Sequence, residues 1–511
     1  MAKNYDSEFC GSLPLNFINH IQPHGCLIVV DQQNFEIVQV SQNVGTMLGL
    51  GHESLLHRIL PEFLPEAEFL QLRDKLSPEI NEKLPFSLSF RNGADTIRCH
   101  ALVHAPAGNY ILELEPAGAD AASPASFVSI YQEIKYVMAA VQQAATVEDI
   151  CNIAVTELKK LSGFDRIMVY RFDEHWNGTV ISEVLEEGME PYLGLRFPAS
   201  DVPRQARELY QKNPYRLIPD RQYGPVKLYP VINPVTQSFL DLSDCNLRSI
   251  AGVHLEYLKN MGVTASMSTR IIIEGKLWGL ISCHHREAKY LNYEQCSVFE
   301  LLSGVIANRL AAVRQEADFR LGTTLQHIHN SLVEQLYTKR DVFEALTEGE
   351  ATIMDLLNVT GAAIAVGREL HLSGQTPEQS EIQDLILWLQ LQPIHRTFTT
   401  ESISELYEGG NQYAAKASGM IVLPLNNDRG EYILGFRPEV IQLVNWGGNP
   451  NEAVQFEADG RNYHPRNSFR LWQQTVKNSS LPWKSQEINM AENFRNVLLE
   501  FTWRQHILNR Q

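Results

Sequence analysis

The stretch PASDVPRQARELYQKNPYRLIPD, residues 198–220, sets charged side chains and two tyrosines among prolines, which is unusual for the core of a domain. Further along, LRSIAGVHLEYLKNMGVTASMS at 247–268 is followed by CHH at 283–285. These stretches contain donors that suit the carboxylates of a bound ligand, and a polar group that could meet polarised N–H groups. The donors are Arg216, Arg248, Ser266, Ser268 and His284, and the polar group is Asp201, His254 and Tyr257. A surface helix with solvated charges would have the same composition, so both interpretations stay open at this point.

The segments around these stretches alternate as strands do. DRIMVYRFD at 165–173 predicts one strand, and MSTRIIIEGKLWGLISCHH at 267–285 predicts a hairpin that turns at Gly275. Apolar residues at helical spacing precede them from Val128 to Val141 and again from Val147 to Leu161. Helices that flank an antiparallel sheet favour a small-molecule sensor domain.

The rest of the chain divides into similar blocks. Up to about residue 118 the runs CLIVVD, FEIVQVS and NYILELE indicate an antiparallel sheet, which ends in a small-residue linker at 116–126. From Asn292 to about Tyr337 helix formers continue without proline, which predicts one helix of about 45 residues and about 70 Å that joins two domains. A further α/β block follows, interrupted at 445–485 by an excursion rich in Asn, Pro and Trp.

The composition is that of a folded protein of 511 residues, with 44% hydrophobic and 20% charged residues. At roughly 150 residues per domain, the length suggests three or four domains. The formal charge of −17 and the lack of a long basic run argue against nucleic acid as a partner. No apolar run approaches the ~18 residues of a membrane helix and no secretory signal is recognisable, so we expect a cytoplasmic protein without a membrane partner. The seven scattered cysteines indicate neither a disulfide framework nor a metal site.

Four short motifs resemble the signature motifs of phytochromes, and they occur in the family's order. They are IQPHG at 21–25, PASDVP at 198–203, HLEYLKNMGV at 254–263 and PRNSF at 465–469. The resemblance covers nearly the whole chain and implies an α+β fold of three tandem antiparallel-sheet sensor domains joined by the long helix. The implied domains are PAS at 1–120, GAF at 121–315 and PHY at 316–511, with a tongue at about 445–485. The family also threads its N-terminal segment through a GAF loop, so we expect a knot with the run 221–247 as its lasso.

The attachment cysteine divides this family into two groups. Plant and cyanobacterial types carry it directly before the pocket histidine, where this chain has Val253, which cannot form a thioether. Bacterial types that bind biliverdin carry it upstream of the IQPHG motif, where this chain has Cys10. The chain therefore resembles a bacteriophytochrome, and the implied chromophore is biliverdin IXα bound through a thioether to Cys10. Cys26 is the weaker candidate, because it should begin a buried strand.

The resemblance implies a role for each candidate pocket residue. Arg216 and Arg248 would pair with the two propionates of biliverdin, with hydrogen bonds from neighbouring hydroxyl and imidazole groups. His254 and the main chain at Asp201 would contact the pyrrole nitrogens, and aromatic residues would wall the ring that rotates on excitation. The whole implied set is Cys10, Tyr170, Phe197, Asp201, Tyr210, Arg216, Arg248, His254, Tyr257, Ser266, Ser268 and His284. Each aromatic residue, taken alone, would fit ordinary core packing equally well.

The excursion at 445–485 resembles the tongue that reaches back over the chromophore. By resemblance, Arg466 would pair with Asp201 in the dark and Ser468 would replace it after photoconversion, which gives two discrete states. Trp446 and Trp472 would be packing anchors that exchange with each other. Two departures affect the expected switching: Gln474 stands where the family usually has an acid, and Gly435 stands before FRPE, where tryptophan is common.

The chain has no recognisable catalytic motif, since it lacks a phosphate-binding P-loop, a Rossmann glycine fingerprint and a nucleophile elbow. We therefore expect no enzyme activity, with any output domain, such as a histidine kinase, beyond Gln511. The long helix and the C-terminal helix carry apolar stripes that predict a homodimer, although the stripes could also pack within one chain. The alternative function is a PAS/GAF sensor of a small effector, for example a cyclic nucleotide, without photochemistry.

Overall fold

The computed structural model describes residues 15–76, 83–93, 95–106, 108–117, 124–339, 341–367, 369–450, 454–456, 463–465 and 468–508. By the density of its contacts the chain divides into two units. The first unit holds the described residues up to Val313 and those from Asn445 to Trp472, and the second holds the remainder. Three sheets of five or more strands and one long helix confirm the α+β class predicted from the sequence.

The first sheet lies in the first unit and has seven strands. They are β1 (His20–Ile21), β2 (Cys26–Asp31), β3 (Ile37–Ser41), β4 (Leu84–Asn92), β5 (Asp95–His104), β6 (Asn109–Pro116) and β11 (Val226–Tyr229), in the spatial order β1-β11-β3-β2-β6-β5-β4. Neighbouring strands pair antiparallel, and the runs CLIVVD and NYILELE form β2 and most of β6, as expected. Three short helices accompany the sheet, α1 (Val44–Leu48), α2 (His52–Leu55) and α3 (Glu66–Lys75). Their apolar side chains and those of the strands form one core.

The second sheet has eight strands. They are β7 (Arg166–Phe172), β8 (Gly178–Leu185), β9 (Arg196–Phe197), β10 (Tyr215–Ile218), β12 (Ala265–Ile273), β13 (Lys276–His285), β19 (Gln442–Gly447) and β22 (Leu471–Val476), in the order β10-β12-β13-β7-β8-β9-β19-β22. The hairpin of β12 and β13 turns at Glu274 and Gly275, both with positive φ, as the hairpin prediction requires. One pair departs from the expected antiparallel pattern, because β9 and β19 run parallel at Arg196 and Trp446.

Helices cover the second sheet. They are α4 (Pro124–Gln143), α5 (Val147–Ser162), α6 (Arg204–Lys212), α7 (Gly252–Asn260) and the start of α8 (Tyr293–Thr338). The first two confirm the helical spacing seen in the sequence, and α5 ends at Gly163 with a left-handed φ of 62°, which glycine adopts without strain.

Side chains of the second sheet alternate between two chemically different faces. Ile167, Leu217, Met267 and Ile281 point to one face and pack in the apolar core with α4, α5 and α8. The residues between them along each strand point to the opposite face, which carries mostly polar and aromatic side chains. This alternation places the predicted ligand-binding residues together on the face away from the core.

Strand β11 belongs to the long segment between α6 and α7, yet it pairs within the first sheet. On one side of residues 19–22, His20 and Ile21 pair with Lys227 and Val226. On the other side, Gln22 N donates to Leu247 O at 2.7 Å. Both arms of the segment 221–247 therefore bind this short N-terminal stretch, while the knot itself stays a prediction.

The second unit is built on a five-stranded antiparallel sheet. Its strands are β14 (Gly361–Val366), β15 (Glu369–Gly374), β16 (Phe398–Thr400), β17 (Gly419–Asn426) and β18 (Glu431–Arg437), in the order β15-β14-β18-β17-β16. Its helices are α9 (Val342–Thr347), α10 (Ile353–Leu357), α11 (Gln379–Gln390), α12 (Ile403–Leu406) and α13 (Ser485–Leu508). One face packs against α10, α13 and the end of α8, and the other packs against α11. Two further strands, β20 (Val454–Phe456) and β21 (Tyr463–Pro465), pair antiparallel and belong to the first unit.

Helix α8 is continuous over 46 residues, as predicted. By length and composition alone it could span a membrane. However, Phe299, Leu302, Ile306 and Leu310 are almost completely buried in the core beside the second sheet. Those positions are therefore covered by protein.

Gly435 lies in the middle of β18 and explains one departure from the family pattern. A Cβ atom there would lie 2.8 Å from Ile421 Cγ2 and 3.1 Å from side-chain atoms of Leu357 and Val359. These three apolar side chains fill the space above the glycine, so a tryptophan at this position would displace them.

Arg437, at the end of β18, binds the segment that leads into α13. Its Nη2 donates to Glu487 Oε2 at 2.9 Å, its Nε donates to Asn358 O at 3.0 Å and its Nη1 donates to Pro482 O at 2.9 Å. The guanidinium carbon also lies 3.7 Å from the centre of the Trp483 ring. Both charged side chains are at least nine-tenths buried, so each depends on the other for compensation.

Removing Glu487 should strongly destabilise the second unit, because Arg437 would stay buried without its carboxylate. We expect Glu487→Ala to lower the free energy of unfolding by about 3–5 kcal/mol, as for other broken buried ion pairs. Urea unfolding followed by circular dichroism measures the change, with exposed Glu350→Ala as the matched control. A loss no larger than that of the control would contradict the assignment.

Candidate functional site

The polar face of the second sheet gathers five side chains from four neighbouring strands. Arg216 on β10 lies opposite Ser268 on β12, and Ser266 on β12 lies opposite His284 on β13. Residues two apart on a strand share a face, so these four project from the same side. Tyr170 on β7 lies opposite Leu280 and extends the same face further across the sheet.

Arg216 binds the backbone that leads into α7. Its Nη1 donates to Asn246 O at 2.8 Å, and its Nη2 donates to Ser249 O at 3.0 Å and also to Arg248 O. The guanidinium group therefore holds the segment that carries the second arginine. Burial lowers the pKa of Arg216, whereas neighbouring tyrosine and acidic groups raise it.

Arg248 is 6% exposed and lies close enough to Arg216 for their charges to interact. Burial, and then the charge of Arg216, lower the pKa of Arg248 to about 9. Among the described residues, Arg248 Nη1, Ser249 Oγ and His284 Nδ1 are buried and have no hydrogen-bond partner. Two adjacent guanidinium groups with hydroxyl and imidazole donors form an arrangement that favours carboxylate groups.

Two histidines at this site are neutral. Burial, and then the charge of Arg216, lower the pKa of His254 to about 4. Burial, followed by the charges of Arg166 and His254, lowers the pKa of His284 to about 3. At neutral pH each ring therefore offers one donor and one acceptor nitrogen.

Tyr257 connects α7 with the segment that carries Asp201. Its hydroxyl donates to Asp201 Oδ2 at 2.8 Å, and its ring lies parallel to that of His254 with centroids 6.0 Å apart. The Phe469 ring meets Tyr257 edge-on at 5.1 Å and is 5% exposed. The Tyr257–Asp201 pair and an aromatic side chain from the excursion at 445–485 thus meet at one place.

An aromatic cluster lines the other end of the polar face. Tyr170 is 7% exposed and lies 6.0 Å from Phe197 and 5.3 Å from Phe172, measured between ring centroids. Tyr192 packs edge-on against Phe197 at 5.7 Å. Gly178 permits this packing, because a Cβ atom there would lie only 1.7 Å from the Tyr170 ring.

Tyr210 on α6 lies near the arginine end of the site instead. Burial raises the pKa of its hydroxyl, against the opposing effects of a hydrogen bond with Ser268 and of the Arg216 and Arg248 charges. The structure thus brings together eleven of the twelve predicted cofactor-binding residues on one side of the sheet. Cys10, the twelfth, lies outside the described residues.

Comparison with known proteins identifies the family. A PAS fold matches residues 10–117, a GAF domain matches 146–310 and a phytochrome region matches 325–506. The bacteriophytochrome of Xanthomonas campestris is 32% identical over 97% of this chain and 78% of its own length. The chain belongs to the phytochrome family. Its domain content corresponds to the photosensory module of phytochromes.

Other relatives agree with this membership. Cyanobacterial phytochrome B of Nostoc is 39% identical over 97% of this chain, which spans 66% of the length of that relative. The phytochrome photosensory core module of Stigmatella aurantiaca is 34% identical and superimposes with a TM-score of 0.82 over 97% of this chain and 98% of its own. A bacteriophytochrome from the photosynthetic bacterium R. palustris is 33% identical, with a TM-score of 0.83 over 97% of this chain and 99% of its own.

The predicted tongue at about 445–485 consists mainly of strands where the structure describes it. Trp446 on β19 is 8% exposed, with the guanidinium of Arg196 5.3 Å from its ring centre. Trp472 is half-buried on β22, and Ser468 is exposed. Strand β21 lies beside α7, the helix that carries His254. Arg466, the predicted partner of Asp201, lies outside the described residues.

The two alternative attachment positions in the chain are unfavourable for a thioether. Cys26 begins β2 and is completely buried, as expected, and burial raises the pKa of its thiol. Val253, directly before His254 in α7, occupies the other position and carries no thiol. The described cysteines are all buried and free.

Sequence reasoning missed several residues of the site. Tyr192, Phe172 and Met168 were not predicted, and nothing in their local patterns separates them from ordinary core residues. Ser249 follows Arg248 directly, so the same motif could have suggested it. Phe469 ends the PRNSF motif, but the motif alone gives this side chain no place in the site.

The lowered histidine pKa values predict a pH dependence of the ligand-free chain. A histidine whose pKa is lowered by folding contributes its full stability above its pKa in the unfolded chain, about 6.5. That contribution is lost as the pH falls towards its pKa in the folded chain, because only the unfolded chain then binds the proton. For His284 the window runs from about 6.5 down to about 3. We expect His284→Gln to reduce the pH slope of the unfolding free energy by about 1.4 kcal/mol per pH unit within this window. Urea unfolding at pH 6.5 and 5.0 measures it, with exposed His175→Gln as control, and an unchanged slope would refute the assignment.

Proposed function

We propose that this chain is a red/far-red light sensor that holds biliverdin IXα, a linear tetrapyrrole, through a thioether to Cys10. The observation that carries the proposal is the set of buried donors at Arg248, Ser249 and His284 that have no hydrogen-bond partner among the described residues. They lie at one end of a polar sheet face whose other end is aromatic. The bacteriophytochrome names of two relatives add support for the identity of the chromophore.

The arginine end would hold the two propionates. Arg248 offers a guanidinium group that can form paired hydrogen bonds with one carboxylate, and Arg216 adds positive charge beside it. Ser266, Ser268 and His284 would donate to the second carboxylate from the neighbouring strands. Charge pairing with the ligand would offset the desolvation that lowers the pKa of both arginines.

His254 and the main chain at Asp201 would meet the pyrrole nitrogens. Biliverdin supplies the absorption of visible light and a double bond that isomerises. The neutral imidazole of His254 can accept a hydrogen bond from one partner and donate one to another, so it can stabilise a cationic tetrapyrrole in the pocket without taking its proton. Its parallel stacking on Tyr257 restricts the orientation of the ring.

Tyr170, Phe197 and Tyr257 would enclose the ring that rotates. Their flat faces exclude water and oppose large displacements, while the contact of Tyr170 with Gly178 leaves no room for a larger side chain at residue 178. The hydroxyl of Tyr257 is bound to Asp201, so any movement of Tyr257 also disturbs the acidic group.

The tongue would convert this disturbance into a signal. In the proposed dark state Arg466 pairs with Asp201, and after photoconversion Ser468 takes the place of Arg466. Phe469, two residues from the middle of that motif, already packs against Tyr257 and links the two segments. Trp446 and Trp472 would exchange places as anchors when the tongue refolds. Two alternative sets of contacts give an equilibrium that light can shift.

The proposal extends to the rest of the protein. A C-terminal output domain, such as a histidine kinase, would receive the signal through α13, and the whole protein would act in the cytoplasm. A homodimer would cover exposed apolar side chains such as Tyr136 on α4 and Phe319 on α8, which are 77% and 75% exposed. The photosensory chain itself is proposed to have no enzyme activity.

The deciding experiment is an absorption spectrum of the chain produced together with biliverdin. We expect a red absorption band that shifts reversibly towards the far-red under red light, and a zinc-fluorescent band on a denaturing gel. Cys10→Ser should abolish the covalent band, whereas the matched control Cys26→Ser should keep it. If no biliverdin is taken up, the small-effector sensor becomes the better proposal.

Arg248 should contribute strongly to affinity. We expect Arg248→Gln to raise the dissociation constant for biliverdin about 10- to 100-fold, since a hydrogen bond to a charged group is worth about 1.5–3 kcal/mol. Fluorescence quenching in a Cys10→Ser background measures it without the covalent bond. Arg171→Gln, an exposed arginine of β7, is the control. Equal affinities of the two variants would contradict the assigned role.

A further inference from the structure

Lys83 lies directly before β4 of the PAS domain and reaches across to the GAF domain. Its Nζ donates to Asn213 Oδ1 at 2.6 Å and to Asn246 Oδ1 at 2.7 Å. In the part of the chain that the structure describes, both acceptors are neutral amides, so the ammonium group has no direct ion pair. Burial lowers the pKa of Lys83, although Glu113, Cys245, Asp244 and Glu300 oppose this at longer range. Lys83 is partly buried, and burying a lysine is costly unless its ammonium group is paired or hydrogen-bonded, as it is here by two amide oxygens.

Both amides occupy positions that determine the shape of the site. Asn213 follows α6, the helix of Tyr210, and its Nδ2 donates to Ser243 O at 2.6 Å. Asn246 lies two residues before Arg248, and its carbonyl accepts the hydrogen bond from Arg216 Nη1 at 2.8 Å. Lys83 and Arg216 therefore bind the same residue: Lys83 binds the side chain of Asn246, and Arg216 binds its backbone carbonyl.

The segment 243–249 has no helix or strand of its own, so its path depends on contacts such as these. A second PAS residue, Glu113, also binds it, because Leu247 N donates to Glu113 Oε2 at 2.8 Å. From the GAF side, Arg216 binds the carbonyl groups of Asn246, Arg248 and Ser249. Hydrogen bonds from both domains thus hold the backbone that carries Arg248: those of Lys83 and Glu113 from the PAS domain and those of Arg216 from the GAF domain.

We propose that Lys83 is a positioning residue for the carboxylate end of the pocket: it holds Asn213 and Asn246 so that the segment anchored by Arg216 presents the Arg248 guanidinium group to a ligand's carboxylate. This inference rests on the proposed biliverdin-binding function. It gives the PAS domain an indirect part in recognising propionates, because Lys83 acts through Asn213 and Asn246.

The proposal predicts an effect that depends on the ligand's carboxylates. Without Lys83, both amide oxygens lose their charged donor, and the segment 243–249 keeps fewer contacts with the PAS domain. A ligand whose carboxylate pairs with Arg248 should then bind less well. A ligand of the same shape whose carboxylates are esterified should be affected much less, because it forms no charge pair with Arg248.

The test compares biliverdin with biliverdin dimethyl ester in a Cys10→Ser background. We expect Lys83→Met, which keeps the apolar stem, to raise the dissociation constant for biliverdin about tenfold, the effect of roughly one hydrogen bond to a charged group. The dissociation constant for the dimethyl ester should change less than about twofold by the same reasoning. Lys276→Met, at an exposed lysine that begins β13, should change neither.

A second variant guards against a general folding defect. Asn246→Ala removes one acceptor of Lys83 but keeps the backbone carbonyl that Arg216 binds, so it should show the same selective loss. An equal loss for both ligands in Lys83→Met and Asn246→Ala would overturn the proposal, because it would indicate a structural role alone. Unchanged binding of both ligands would also overturn it. If the parent chain binds neither ligand, the proposed function fails first, and this inference falls with it.

Discussion

Alternation of side chains along the second sheet is the constraint on which the site depends. Strands β7, β10, β12 and β13 send every second side chain into the apolar core and every other one towards the pocket. A shift of one residue in any of these strands would exchange the two sets. The buried core therefore fixes the register, and the register places Arg216, Ser268 and His284 on a common face.

Placing two arginines together in a buried site is unfavourable, and the structure shows how this is compensated. Arg216 directs its guanidinium towards backbone carbonyl groups, which carry partial negative charge but cannot lose it by protonation. Arg248 keeps an unpaired nitrogen among the described residues, and its pKa falls to about 9. One arginine thus builds the site, and the other remains available to a ligand. The resemblance assigned both to propionates, and the structure gives Arg216 this additional task.

The two ends of the site differ in how they respond to change. The arginine end is held by many hydrogen bonds from two domains, including those of Lys83 and Glu113. Among the described residues, the aromatic end is held by ring packing and by the hydrogen bond between Tyr257 and Asp201. Ring contacts can rearrange at low cost, whereas buried charged networks cannot. A ligand fixed at one end and mobile at the other suits a sensor that reports movement.

The sequence by itself determined the class of fold, the long helix and the β12–β13 hairpin, and it named candidate residues that the structure brings to one side of the second sheet. Helical and strand periodicity are local, and each of the four short motifs of the family lies within a continuous stretch. Tyr192, Phe469 and Lys83 could not be recognised in this way, because the place of each in the site depends on contacts with residues outside its own stretch of sequence. Only the tertiary structure brought Lys83 of one domain to Asn246 of another, and Phe469 of the predicted tongue to Tyr257 of α7. Such contacts depend on how domains pack, which no local pattern of residues encodes.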